Sequence, residues 1–293
     1  MRKGDGAAMS GKLVICPTPI GNLGDMTLRA LEELRAADVV CAEDTRVTGK
    51  LLAHFGIEKS LMRLDEASIN MASAAGVVRR IEEGQRVVYC SDAGTPGVSD
   101  PGLRLVETVR AAGGAVEVLP GACAASTAYV AAGFNNPSFH FAGFFPRKDG
   151  ERRAVLEALS GLDAVLVFYE SPHRLADALA VVAEVLPNRE VAVCRELTKR
   201  YEEVVRASAP QVAQRFAQRD AEGGIKGEIA FVIGPATEAE RAGAEEVARL
   251  AAADRAAQLL ADGACSKKDA VAVLRREYGI SRNEAYDLVH GAR

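Results

Sequence analysis

Hydrophobic positions along the chain fall into short, largely apolar runs separated by stretches with a helical period. The runs at 12–16, 39–42, 61–64, 86–90 and 115–119 are rich in Val, Leu, Ile and Cys and predict buried strands. Thr27 stands where it can cap a helix to about Ala37, with Leu28, Leu31 and Leu34 on one side. A second helix runs to about Phe55, and a third spans 70–83 with Gly84 as its stop. A fourth starts at Leu103, with Pro101 in its first turn and Gly113-Gly114 after it. Strands alternating with helices through residue 133 predict an α/β fold with a mostly parallel sheet.

The pattern breaks at Asn135-Asn136-Pro137-Ser138, and a domain junction is expected near residue 140. Beyond it the chain predicts helix 151–160, strand 164–169, helix 173–186, strands 190–195 and 201–206, helix 210–219 and strand 228–233. From Glu245 the chain is alanine-rich and helical. Ser281-Arg282-Asn283-Glu284 is a capping box and Ser266-Lys267-Lys268-Asp269 a looser one, a pattern like a helix-turn-helix or a packing appendage. The expected units are 10–138, 139–235 and a helical tail at 243–293.

Composition narrows the class. The 293 residues are 48% hydrophobic and 26% charged, the balance of a globular chain long enough for two domains. No apolar run approaches the ~18 residues of a membrane span. Residues 1–8 lack the apolar core of a signal peptide, and Met9 is a second candidate start, so a cytoplasmic location is expected. The six cysteines show no CxxC and no neighbouring histidines, which argues against zinc; Cys123 alone falls in a glycine loop. A net charge of −4 argues against indiscriminate polyanion binding and leaves room for a local basic face.

The chemistry concentrates at strand ends. After the strand at 86–90 comes Ser91-Asp92-Ala93-Gly94-Thr95-Pro96-Gly97-Val98-Ser99-Asp100-Pro101-Gly102, longer than the ~2–6 residues a βα connection needs. Either it is a tight turn or it holds a ligand at the carboxyl edge of the sheet; its length and two prolines favour the ligand. Gly94 and Gly97 allow close backbone approach, and the loop offers backbone N–H groups and Asp92 as an acceptor. Arg147, Lys148, Arg152 and Arg153 form a basic run at the junction, which His173, Arg174, Lys199 and Arg200 extend.

Several motifs stand in one order along the chain. They are Thr18-Pro19-Ile20-Gly21-Asn22-Leu23-Gly24-Asp25, Glu43-Asp44-Thr45-Arg46, the 91–102 loop and Pro146-Arg147-Lys148. Tyr169-Glu170-Ser171-Pro172-His173-Arg174, Arg195-Glu196-Leu197-Thr198-Lys199 and Lys226-Gly227-Glu228 follow. The set resembles the ribosomal RNA small-subunit methyltransferase I family, in the tetrapyrrole (corrin/porphyrin) methylase superfamily, over residues 12–233 and more weakly over the tail.

The resemblance implies a two-domain tetrapyrrole-methylase-like fold, usually a homodimer, with S-adenosylmethionine in the cleft between domains. It implies methyl transfer to the ribose 2′-hydroxyl of a cytidine in the decoding centre of 16S rRNA, within the small ribosomal subunit. The cofactor set it implies here is Pro19, Ser91, Asp92, Ala93, Gly94, Ser99, Cys123, Ala124, Tyr169, Leu197 and Gly227. The substrate set is Asn22, Asp25, Arg46, Arg147, Lys148, His173 and Arg174, and the candidate catalytic carboxylates are Glu43, Asp44 and Glu66. Asp44 and Arg46 equally suit a loop-fixing ion pair.

The chain departs from the family pattern in three places. Val47, Asp65 and Ala67 stand where histidines are common, and Cys123 where a serine is common. The rivals are a tetrapyrrole methyltransferase, a catalytically silent RNA-binding relative, and a metal-dependent hydrolase using Asp92, Asp100 and Glu43. The Glu-Asp-Thr-Arg, Pro-Arg-Lys and Tyr-Glu-Ser-Pro-His-Arg motifs favour the rRNA branch.

Overall fold

The computed structural model describes residues 11–65, 71–261 and 265–291. Glu66, Ala67 and Asn70 lie outside the described residues. Strands β1 (Lys12–Ile15), β2 (Val39–Ala42), β3 (Leu61–Arg63), β4 (Arg86–Cys90) and β5 (Ala115–Val118) form a parallel sheet in the order β3-β2-β4-β1-β5.

Successive side chains on a strand point to opposite faces. Leu13, Ile15, Cys41, Val87 and Tyr89 pack beneath α3 (Met71–Glu82) and α4 (Gly102–Ala111). Val14, Cys16, Val40, Val88 and Cys90 pack beneath α1 (Leu28–Ala36) and α2 (Thr45–His54). Helices cover both faces, so the central strands β1, β2 and β4 read as largely apolar runs, while the edge strands β3 and β5 carry Arg63 and Glu117. All five strands end at the same edge, where the loops converge.

The second sheet joins β6 (Phe139–Phe144), β7 (Val165–Glu170), β8 (Glu190–Arg195), β9 (Glu203–Ser208) and β10 (Ile229–Ile233) in the order β6-β7-β10-β8-β9. β6 and β7 are parallel and the other pairs antiparallel. One face packs against α6 (Asp149–Leu159), α7 (Leu175–Val185) and α8 (Ala209–Gly223) through Phe168, Val193 and Phe231. The other face receives α5 (Ala124–Ala132), whose Ala125, Ala128 and Ala132 meet Val167, Cys194 and Ala230. Thus α5 precedes the break in the sequence and yet packs on the second sheet.

Three local expectations are corrected. The segment at the expected junction near residue 140, given no element from the sequence, is strand β6; Gly143, at φ +74°, and a register shift between Phe141 and Phe144 interrupt its alternation. Strand β9 begins at Glu203 rather than 201, because Glu196 (φ +52°) and Thr198 (φ +66°) open a turn that continues with Glu202 N–H donating to the Lys199 carbonyl at 3.1 Å. Helix α8 continues to Gly223, beyond the expected 219.

Helices α9 (Glu238–Ala261), α10 (Lys267–Tyr278) and α11 (Arg282–His290) share a core of Ala252, Ala256, Ala270, Leu274, Ala285 and Val289. Both expected serine caps form, with the reciprocal box complete at Ser281. The buried Arg189 ties this tail to the second sheet. Its Nε donates to Glu240 at 2.9 Å, and its other nitrogens donate to the carbonyls of Ser160 and Gly234.

Candidate active site

A cavity of ≈ 420 Å³ lies where the strand-end loops of the first sheet meet β7, the β8–β9 turn and the start of β10. That is the size range of cofactor sites. The 91–102 loop is its floor. Thr18 and Gly94 form a two-way backbone bridge, at 2.9 and 3.0 Å, and Thr18 Oγ1 donates to the Ser91 carbonyl at 3.2 Å. Asp100 Oδ1 accepts from the amides of Gly97 (2.7 Å) and Gly102 (2.8 Å), closing the loop onto the start of α4. Of the backbone N–H groups that the loop was expected to offer a ligand, those of Gly94, Gly97 and Gly102 are therefore spent on the fold.

A second clamp joins the loops after β2 and β4. Asp44 N–H donates to Asp92 Oδ1 at 3.0 Å, and Asp92 N–H donates to Glu43 Oε2 at 3.3 Å. Partial burial raises the Glu43 pKa above its ordinary value. The Asp92 amide opposes that rise, while the charges of Asp92, Asp100 and Asp65 reinforce it. Glu43 lines the cavity. Asp44 does not: it caps α2 by accepting from the Arg46 amide at 2.8 Å, and it takes the Arg46 guanidinium at 2.5–3.1 Å. The Arg46 bonds hold its carboxyl well below the usual range. Here the loop-fixing ion pair is what forms.

The opposite wall is built by the second sheet. Tyr169 lies on the α5 face of β7, and its hydroxyl oxygen accepts from the Ala125 amide at 2.9 Å. Burial pushes its pKa up. The two positive-φ residues of the β8–β9 turn flank Leu197, which lines the cavity and is buried. Lys199 Nζ bonds Glu196 (2.8 Å) and Glu228 (2.9 Å), and Glu196 Oε1 also accepts from the Glu228 amide at 2.9 Å. The Cys194 thiol, pushed up to about 12 by burial, is a packing group.

Of the expected cofactor residues, Ser91, Asp92, Ala93, Gly94, Ser99, Cys123, Ala124, Tyr169, Leu197 and Gly227 line the cavity, whereas Pro19 does not, its neighbour Ile20 lining it instead. The hydroxyls of Ser126 and Thr127 donate to the Cys123 carbonyl at 3.1 and 2.9 Å, so neither proton is turned to the cavity. None of the expected substrate residues is on the wall. Asn22 caps a 3₁₀ turn at Leu23–Asp25, while His173 and Arg174 lie in another at Pro172–Arg174. Arg147 and Lys148 are exposed, and Lys148 pairs with Glu151 at 3.1 Å.

The basic run is shorter than it reads. Arg152 is buried, donating to the Pro146 carbonyl at 2.8 Å, and Arg153 pairs with Glu184. Residues given no site role from the sequence complete the wall, among them Phe144 and, from the Tyr169–Arg174 motif, Glu170 and Pro172. Glu170 is buried, accepts from the Ser171 amide at 2.6 Å and pairs with Arg174. Its place beside Ser-Pro-His-Arg was the available signal.

The family model for tetrapyrrole (corrin/porphyrin) methylases matches residues 12–213. Ribosomal RNA small subunit methyltransferase I of Escherichia coli O157:H7 is 41% identical over 278 residues, covering 94% of this chain and 93% of the relative. The protein of that name from Bacillus subtilis is 38% identical over 293 residues, covering 98% and 96%. Among solved structures, uroporphyrin-III C-methyl transferase from Thermus thermophilus, complexed with S-adenyl homocysteine, superposes with a TM-score of 0.53 at 19% identity, covering 76% of this chain and 97% of that one. The chain belongs to the tetrapyrrole methylase family, in the branch of ribosomal RNA small subunit methyltransferase I.

Proposed function

We propose that the protein transfers a methyl group from S-adenosylmethionine to the ribose 2′-hydroxyl of a cytidine in the decoding centre of 16S rRNA. The coarser statement, an S-adenosylmethionine-dependent rRNA methyltransferase, follows from the family. The observation that supports the finer reading is the cavity itself: ten of the residues assigned to the cofactor converge on it, and so does one of the candidate catalytic carboxylates, Glu43.

The residues present fit this cofactor. Asp92 spends one carboxylate oxygen on the Asp44 amide, and its other oxygen suits an ammonium group. Ala93, Ala124, Gly227 and Ala230 leave room for flat rings, with Tyr169 and Leu197 as apolar walls. When bound, the cofactor supplies an electrophilic methyl on a sulfonium, with a neutral thioether as leaving group.

A ribose hydroxyl is a weak acid, so an acceptor for its proton assists the new O–C bond. Glu43 takes that role: it faces the cavity, and its raised pKa makes it a stronger base than an ordinary glutamate. Asp44 and Arg46 hold the loop that presents it. Arg147, Lys148, His173 and Arg174 would contact phosphates near the cavity, positioning RNA without reading its sequence. The reading carries with it a homodimer, and domains at 10–138, 139–235 and 243–293.

The test is transfer of labelled methyl from S-adenosylmethionine to small ribosomal subunits lacking the modification, followed by nuclease digestion and nucleoside analysis. Label in 2′-O-methylcytidine from the decoding centre is expected. Label in another nucleoside, or transfer only to a tetrapyrrole, overturns the proposal.

A further inference from the structure

Phe144 is a large aromatic side chain left 59% exposed at the rim of the cavity. Its neighbour explains why it cannot turn inward. Phe145 is 1% exposed and packs edge-on against Phe168 and Phe231, with ring centres 5.0 and 5.2 Å away. Consecutive residues of an extended chain point to opposite sides, so anchoring Phe145 in the core holds Phe144 on the cavity side.

The bulge sharpens this placement. The register between β6 and β7 shifts between Phe141 and Phe144, at the positive-φ Gly143, and Phe144 is then set opposite Tyr169. A Cβ at Gly143 would lie 3.8 Å from Ser99 Oγ, so the bulge runs close to the 91–102 loop. The Phe144 ring meets Tyr169 edge-on at 5.6 Å and 72°, a contact that leaves ring face unused. Tyr169 is itself fixed by the Ala125 amide and by Phe141, 4.7 Å away. Arg147 and Lys148, both exposed, follow within four residues.

We infer that Phe144 is a stacking platform for the base of the nucleotide being methylated. This rests on the proposed transfer to an RNA ribose. A ribose can enter a recessed cavity only if its nucleotide leaves the stack, and the unstacked base then needs an apolar face at the entrance. An exposed ring beside two cations supplies that face, with phosphate contacts on its flank. Tyr169 and Leu197, deeper and more buried, serve the cofactor; Phe144 serves the substrate. The platform positions the base and takes no part in proton transfer.

The experiment compares the full-length protein with Phe144→Ala, Phe144→Leu and Phe144→Tyr on small subunits lacking the modification. Binding is measured in parallel to a decoding-centre RNA fragment that carries a fluorescent cytosine analogue at the target. Phe144→Ala and Phe144→Leu should raise KM for the subunit by about 5- to 150-fold, the equivalent of about 1–3 kcal/mol of stacking. Wild type should quench the analogue on binding, and these two variants should abolish that quenching. Phe144→Tyr should restore both, and the dissociation constant for S-adenosylmethionine should not change in any variant. Active wild type with an unchanged KM in Phe144→Ala overturns the inference alone, as does a parallel loss of cofactor binding, or a Leu variant as good as Tyr. Wild type that neither methylates nor binds the RNA removes the rRNA reading and the platform with it.

Discussion

Replacing Glu203 by Gln tests how the second sheet holds the cavity wall. Glu203 opens β9 and gathers three arginines from two other elements. Arg219 binds it in bidentate fashion at 2.7 and 2.8 Å, Arg195 donates through Nε at 3.0 Å, and Arg215 stands 3.7 Å away. Arg195 also donates to the Lys226 carbonyl at 3.2 Å, next to Gly227 on the cavity wall. The Arg219 bonds above all, against a smaller burial cost, bring the Glu203 pKa from an ordinary 4.5 to about 2.

That drop corresponds to about 3 kcal/mol of preference for the charged form. Partial solvent contact and the weaker bonds that an amide retains reduce the expected loss in Glu203→Gln to about 2 kcal/mol at neutral pH. The sign is fixed by proton binding. The unfolded chain protonates Glu203 near its ordinary value and the folded chain only near pH 2, so the stability is present above the first and lost as pH falls through the second. Urea denaturation of both proteins at a series of pH values reads the gap directly. The gap should be about 2 kcal/mol near neutrality and shrink steadily below about pH 4.5. A gap independent of pH, or none at neutral pH, refutes the reasoning.

Two further outcomes follow from the site. Glu43→Gln should lower kcat by about 10²- to 10⁴-fold, with cofactor affinity retained because the amide oxygen can still accept from the Asp92 N–H; the wild-type acid limb of kcat should lie above the ordinary glutamate value of 4.5. Unchanged kcat in the variant would remove Glu43 as the proton acceptor. Gly227→Ala forces a side chain onto φ +100° and places its Cβ 2.5 Å from Glu196 Cγ, so it should cost about 1–3 kcal/mol in thermal unfolding and weaken cofactor binding in calorimetry. Wild-type stability and affinity would show that the Glu196–Lys199–Glu228 cluster does not shape the wall.

By itself the sequence determined the five strands of the first sheet and that they are parallel, because helices on both faces make the central strand residues of β1, β2 and β4 apolar and the strands alternate with helices along the chain. It determined the caps at Thr27, Ser266 and Ser281, which are local hydrogen bonds between residues three apart. It also marked the loops that become the cavity, since the Gly, Pro and Asp residues of 91–102 are there to make turns.

Tertiary structure decided what depends on partners distant in the chain. Strand β6 is a strand because β7 pairs with it across a bulge, and no period in Phe139–Phe144 announces that. Arg152 reads as a surface charge and is buried, because the Pro146 carbonyl six residues earlier accepts its Nε. Helix α5 serves the second sheet because Ala125, Ala128 and Ala132 meet β7, β8 and β10, all of which come later in the chain. Glu43 and Asp44 are adjacent carboxylates with the same intrinsic chemistry. Only the fold sends one to Arg46 and turns the other to the cavity, where partial burial raises its pKa.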